Sequence, residues 1–189
     1  SPYISGSNKR VGRNSKWIKK RNNRIKKKIM SLIIENTPLI DGLDVWTASI
    51  NSLPIIDYSI LNYSSCDTGR CHCVDDNIVE DVADCFTKSV IDTKISEPYK
   101  TEISILKNKP NFELIPHFDN DQMLGVIIIN LVNSNTSTKF YNINDDEIGQ
   151  ALVEYSKGAM YLNNWDFKHG YKNTSSVDRY IALCIIYKK

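Results

Sequence analysis

The spacing of apolar and polar side chains changes character near the middle of the chain. From residue 99 onward, short alternating or apolar runs are separated by turn residues. Residues 102–106 (Glu-Ile-Ser-Ile-Leu) alternate with the period of two of a half-buried strand and stop at a turn over 107–110. Residues 112–119 predict a strand that enters a loop at Asn120 and Asp121. Residues 125–132 are β-branched nearly throughout, the pattern of a strand buried on both faces. Further strands are predicted over 138–143, 149–155, 159–162 and 179–187. Such a series of short strands with polar turns points to a sandwich or barrel. Upstream the spacing is different. Ile78, Val79, Val82, Phe86 and Val90 recur at intervals of three and four, predicting one helix over 75–90 with its acids in the first turns. The apolar run 29–34 predicts a helix continuing from the segment before it, where Trp17, Ile18 and Ile25 line one face. Gly42 and Pro54 punctuate the stretch from there to residue 62. The expectation is an α+β chain with a mainly β core and flanking N-terminal helices.

Composition changes this picture in one respect. A chain of 189 residues, 41% hydrophobic and 24% charged, suits one soluble domain with a sizeable core. The longest largely apolar run, 126–132, falls far short of the roughly 18 residues a membrane helix needs. The net charge of +2, however, hides a strong asymmetry. Residues 9–28 hold eleven Lys or Arg and no acid, which leaves 13 basic against 22 acidic residues elsewhere, a net of about −9. The chain therefore divides into a basic arm (1–28), a helical and loop support region (29–98) and a strand-rich core (99–189). The arm suits RNA or DNA phosphates, with Trp17 available to stack on a base. It equally suits a solvated tail lying on the acidic body. The first residue is Ser rather than Met, as in a processed or excised chain, and no secretory segment is visible. With the cysteine usage, this implies an intracellular, cytoplasmic setting.

Cys66, Cys71 and Cys73 fall within eight positions, and Cys85 comes twelve residues later. Thiolates favour Zn²⁺, so Cys66, Cys71 and Cys73 with Cys85 or His72 form a candidate structural zinc set. The spacing lacks the paired C-x-x-C of a zinc ribbon. Free thiols, or a disulfide in an exported chain, are the other readings, and five cysteines argue against a pure disulfide framework.

The candidate chemistry centres on His117-Phe118-Asp119. Two residues apart on extended chain, His117 and Asp119 share a face. His169 lies fifty positions beyond Asp119 and Arg179 ten beyond that. Two imidazoles and one carboxylate form the facial triad that holds non-haem Fe(II) with open positions. A guanidinium is the planar fork suited to the far carboxylate of a bidentate co-substrate. The plainer readings are a turn at Asp119-Asn120-Asp121, a turn histidine before Gly170, and Arg179 paired with Asp178.

The order His117-Phe118-Asp119 … His169 … Arg179 resembles the Fe(II)/2-oxoglutarate-dependent dioxygenase family, and in particular its prolyl-hydroxylase-like branch with phage and bacterial relatives. Residues 126–133, 138–141 and 164–173 resemble the segments that surround the family's site, so the resemblance covers residues 99–189. It implies a double-stranded β-helix (a jelly-roll, cupin-like fold), Fe(II) held by His117, Asp119 and His169, and 2-oxoglutarate held by Arg179. It further implies that Asn130 hydrogen-bonds the co-substrate and that Tyr141 assists. Many relatives carry Ser or Thr two residues after the arginine; here Ile181 stands there, so that hydroxyl must come from elsewhere. The implied activity is hydroxylation of a C–H bond, first of a prolyl-type side chain in a protein or peptide. The alternatives are a nucleic-acid-directed oxygenase that uses the basic arm, or an inactive β-helix module tethered by that arm to RNA or an assembly. The nucleobase-repair branch carries further arginines after the distal histidine; none follows Arg179.

Overall fold

The computed structural model describes residues 30–189, so the basic arm and its stacking role lie outside the described residues. In chain order the strands are β1 (Ser31–Pro38), β2 (Val45–Asn51), β3 (Arg70–His72), β4 (Tyr99–Asn108), β5 (Glu113–His117), β6 (Met123–Asn130), β7 (Lys139–Tyr141), β8 (Glu147–Gln150), β9 (Lys157–Leu162), β10 (Lys168–Lys172) and β11 (Arg179–Lys188). Helices α1 (Asp76–Ala83) and α2 (Lys88–Ile91) lie between β3 and β4. Seven strands form one sheet in the order β1-β2-β9-β6-β11-β4-β3, and four form a second in the order β5-β10-β7-β8. All their pairings are antiparallel. This is the expected double-stranded β-helix. Strands from 29–98 and from 99–189 share the larger sheet.

The central strands β6, β9 and β11 of the larger sheet are buried on both faces, which explains their apolar runs. Along β6, Ile127 and Ile129 join Val82, Cys85, Phe86 and Ile91 in a core beneath the helices. Their neighbours Val126 and Ile128 face the other way, into a second core with Phe140 and Phe167. β11 divides in the same manner: Ala182, Cys184 and Ile186 lie in the first core and Ile181 in the second. Each strand thus supplies side chains to two cores by its period-two geometry.

Three local expectations give way to tertiary structure. Residues 31–34 are strand rather than helix, because Ser31 to Ile34 pair in register with Asn51 to Ala48 of β2. Short apolar runs fit either element, and here the partner strand decides. The helix over 75–90 is interrupted between Ala83 and Lys88, where the chain turns Cys85 and Phe86 into the core at 1% and 8% exposure. The zinc set is not assembled. Cys66 and Cys71 are joined in a disulfide. The buried Cys85 thiol donates to the Val82 carbonyl at 2.6 Å, and His72 is exposed. Among the described residues, no helix is long and apolar enough to cross a membrane.

Candidate metal and anion site

The site lies between the two sheets, and strand pairing builds it. β5 is the edge strand of the smaller sheet, which tolerates Pro116 directly before His117. Its neighbour β10 brings His169 into register with His117. The two imidazoles lie with ring centroids 4.4 Å apart. Gly170 permits this pairing: a Cβ there would sit 2.8 Å from the Leu114 carbonyl oxygen and 3.1 Å from the Pro116 nitrogen. Asp119 stands just past β5, where the chain turns through Asn120 and Asp121. The Asn163 side-chain amide fixes that turn by donating to the carbonyls of Asn120 and Met123, each at 2.9 Å.

The donor atoms of His117, Asp119 and His169 all lie within 4.8 Å of one another, and among the described residues they form the one such group. Asp119 Oδ1 is 3.7 Å from His117 Nε2 and 3.4 Å from His169 Nε2. His117 Nδ1 lies 2.7 Å from the Ile115 carbonyl. A carbonyl only accepts, so Nδ1 carries a proton and the ring turns Nε2 towards Asp119. Burial, and then the neighbouring His117, push the His169 pKa down to about 3, so its ring also offers a lone pair. Burial raises the Asp119 carboxyl, with His117 opposing that shift. Its Oδ2 is buried with no hydrogen-bond partner. Two imidazoles and one carboxylate brought this close together are a ligand set for a divalent cation.

These ligands line a cavity of about 230 Å³, walled by Val126, Ile128 and Ile181 and containing Arg179. Arg179 is 2% exposed. It does not pair with Asp178, and among the described residues no carboxylate neutralises it. Instead its Nε and Nη2 donate to Asn130 Oδ1 at 3.3 and 3.0 Å, and its guanidinium lies 4.2 Å from the Tyr171 ring centroid.

The structure separates the other two expected helpers from the cavity. The Asn130 amide is consumed behind Arg179: its Nδ2 donates to the carbonyls of Leu152 and Lys157, at 2.7 and 2.8 Å, while its oxygen holds the arginine. It is not among the residues that line the cavity. Tyr141 lines an adjacent groove with Glu113 and Lys139, outside the metal cavity. Ile181 offers no hydroxyl, but Thr138, Tyr161 and Tyr171, which carry one each, line the cavity. Tyr171 was legible, since it stands two residues from His169 on one strand and so shares its face. Arg70 was not: it reaches the cavity from β3, and only the β3–β4 pairing places it there.

No family model and no curated protein sequence matches the chain. Solved structures do. A viral collagen prolyl hydroxylase from Paramecium bursaria Chlorella virus-1, solved with 2-oxoglutarate, superposes with a TM-score of 0.53 at 11% identity, covering 80% of this chain and 99% of that one. A Pseudomonas putida prolyl-4-hydroxylase gives 0.49 at 11% identity over 69% of this chain and 79% of that one. A Trichoplax adhaerens prolyl hydroxylase bound to a hypoxia-inducible-factor peptide gives 0.49 at 11% identity, over 87% and 73%. The first of these superpositions establishes that this chain has the double-stranded β-helix fold of the viral prolyl hydroxylase.

Proposed function

We propose that this chain is an Fe(II)- and 2-oxoglutarate-dependent oxygenase that hydroxylates a C–H bond. One observation carries the reading: a two-histidine, one-carboxylate donor set and a buried guanidinium without an acid partner open into the same cavity. The donor set suits Fe(II), and Asp119 offsets part of its charge. Arg179 lies over Tyr171, two residues beyond His169 on β10 and so roughly 7 Å along the strand. That span suits a five-carbon dicarboxylate that chelates through its 2-oxo acid end. Iron held there would supply the chemistry that divides dioxygen between 2-oxoglutarate, which would leave as succinate and CO₂, and the substrate C–H bond, which would become C–OH. The chain's own residues hold and orient. His117 presents Nε2, His169 its neutral ring, Asn130 fixes the arginine fork, and the apolar wall keeps water out.

For the substrate, a prolyl-type side chain of a protein or peptide is the reading we favour. Beside the ligand turn, Phe118 and Trp165 meet with centroids 4.9 Å apart, and Trp165 is 67% exposed. Such an aromatic edge next to the metal ligands offers packing area to an aliphatic ring. The test is to supply Fe(II), 2-oxoglutarate, oxygen and proline-containing peptides. Succinate should form together with a peptide heavier by one oxygen, and both products should vanish in His117→Ala and Asp119→Ala. Full turnover in both variants would contradict the assignment.

A further inference from the structure

The cavity holds a second cation that the proposed iron and 2-oxoglutarate chemistry leaves without a role. Arg70, on β3, lines it together with Arg179. Both arginines pair across from the same residue of β4, since Arg70 and Arg179 are each in register with Asn108. The three therefore form one row across the larger sheet. Arg70 Nε donates to Asn108 Oδ1 at 2.8 Å, and its guanidinium lies 4.6 Å from the Phe112 ring centroid. Phe112 and Tyr171, the ring under Arg179, are 6.4 Å apart. The two cations thus stand side by side on neighbouring aromatic rings, and among the described residues neither has a carboxylate partner. Burial, and after it the neighbouring Arg179, push the Arg70 pKa down to about 10. The Asn108 Nδ2 amide, in the same row, is buried without an acceptor. Two adjacent guanidiniums and an orphaned amide donor in a low-dielectric pocket cost stability unless an anion compensates them.

Position decides which end of the ligand this row serves. The Phe112 carbonyl accepts from the Asn173 backbone at 2.9 Å, and Leu114 pairs with Tyr171. Along the smaller sheet the order is therefore His169, then Tyr171, then Asn173, and Arg70 lies over the ring at the far end from the metal ligands. On the basis of the co-substrate reading above, we propose that Arg70 is a second co-substrate anchor. With Arg179 it clamps the distal carboxylate of the 2-oxo dicarboxylate, one guanidinium from each side, while Asn108 positions Arg70. The clamp selects for a ligand charged at both ends, because a 2-oxo monocarboxylate leaves both guanidiniums uncompensated.

The test is calorimetric binding of 2-oxoglutarate and of 2-oxobutyrate to the Mn(II)-loaded protein, in wild type, Arg70→Gln and Arg70→Lys, with folding checked by thermal midpoint. Arg70→Gln should weaken 2-oxoglutarate binding about tenfold or more, which corresponds to about 1.4 kcal/mol. It should leave 2-oxobutyrate within about twofold, since hydrogen bonds to a charged group contribute to the distal end alone. Arg70→Lys should restore part of the loss. If the glutamine variant fails to fold, the lysine variant decides: a loss of affinity confined to 2-oxoglutarate supports the clamp. Unchanged 2-oxoglutarate affinity, or an equal loss of both ligands, overturns the clamp while the co-substrate reading stands. A wild type that takes Mn(II) but neither 2-oxo acid overturns both.

Discussion

At the scale of single residues, protonation states do much of the work. His169 is held neutral by burial, with a pKa near 3 against an ordinary value of 6.5. In the unfolded chain that imidazole takes up a proton below pH 6.5, whereas in the folded chain it does not until near pH 3. The unfolded state therefore binds more protons through this window, and stability contributed at His169 is lost as pH falls. At pH 5 the loss is about 2 kcal/mol by linkage, or about 4–8 °C in thermal midpoint for a chain of this size. Asp119, with its carboxyl raised, acts in the opposite sense at lower pH. Comparing metal-free wild type with His169→Gln isolates the effect: the wild-type midpoint should fall faster between pH 7 and 5. Parallel curves would show that His169 is not held neutral. That His117, Asp119, His169 and Arg179 meet at one cavity was legible from their offsets, with His117 closing β5 and Arg179 opening β11. The hydrogen bonds of Asn130 to Leu152, Lys157 and Arg179 were not legible, since they join segments far apart in the chain. Nothing local marks Arg70, whose place depends on the pairing of β3 with β4.

At the scale of elements, the pairing of β5 with β10 is what brings two distant histidines side by side. The register shifts between His169 and Tyr171, and Gly170 sits in that step with no room for a side chain. Gly170→Ala should push β10 away from β5, because the obstructing atoms are backbone. We expect a stability loss of about 1–3 kcal/mol and a larger proportional loss of Mn(II) affinity, read by thermal unfolding and by calorimetry on the same sample. Intact Mn(II) affinity in that variant would mean that the strand register does not set the ligand geometry. β10 also illustrates why some elements escaped sequence reading. Lys168-His169-Gly170-Tyr171-Lys172 carries a glycine at its centre and no aliphatic residue. Its strand character comes from β5 and β7 on either side. β6 and β11 were legible for the opposite reason, since burial on two faces writes a continuous apolar run into the chain.

At the scale of the molecule, the two cores divide the labour. The one beneath α1 and α2 stiffens the larger sheet, and the one between the sheets leaves a cavity at its polar end. The Cys66–Cys71 disulfide closes the loop immediately before Arg70 and Cys71 enter β3, so the support region contributes to the cavity as well as to the sheet. That the support region 29–98 shares the larger sheet was not legible, because strand order across a sheet is non-local information. The most direct test of the whole account is calorimetric titration of metal-free protein with Mn(II), in wild type, Asp119→Ala and His169→Ala. One equivalent should bind to the wild type and raise its thermal midpoint by mass action. Neither variant should bind measurably. Equal stoichiometry and affinity in all three proteins would contradict the site.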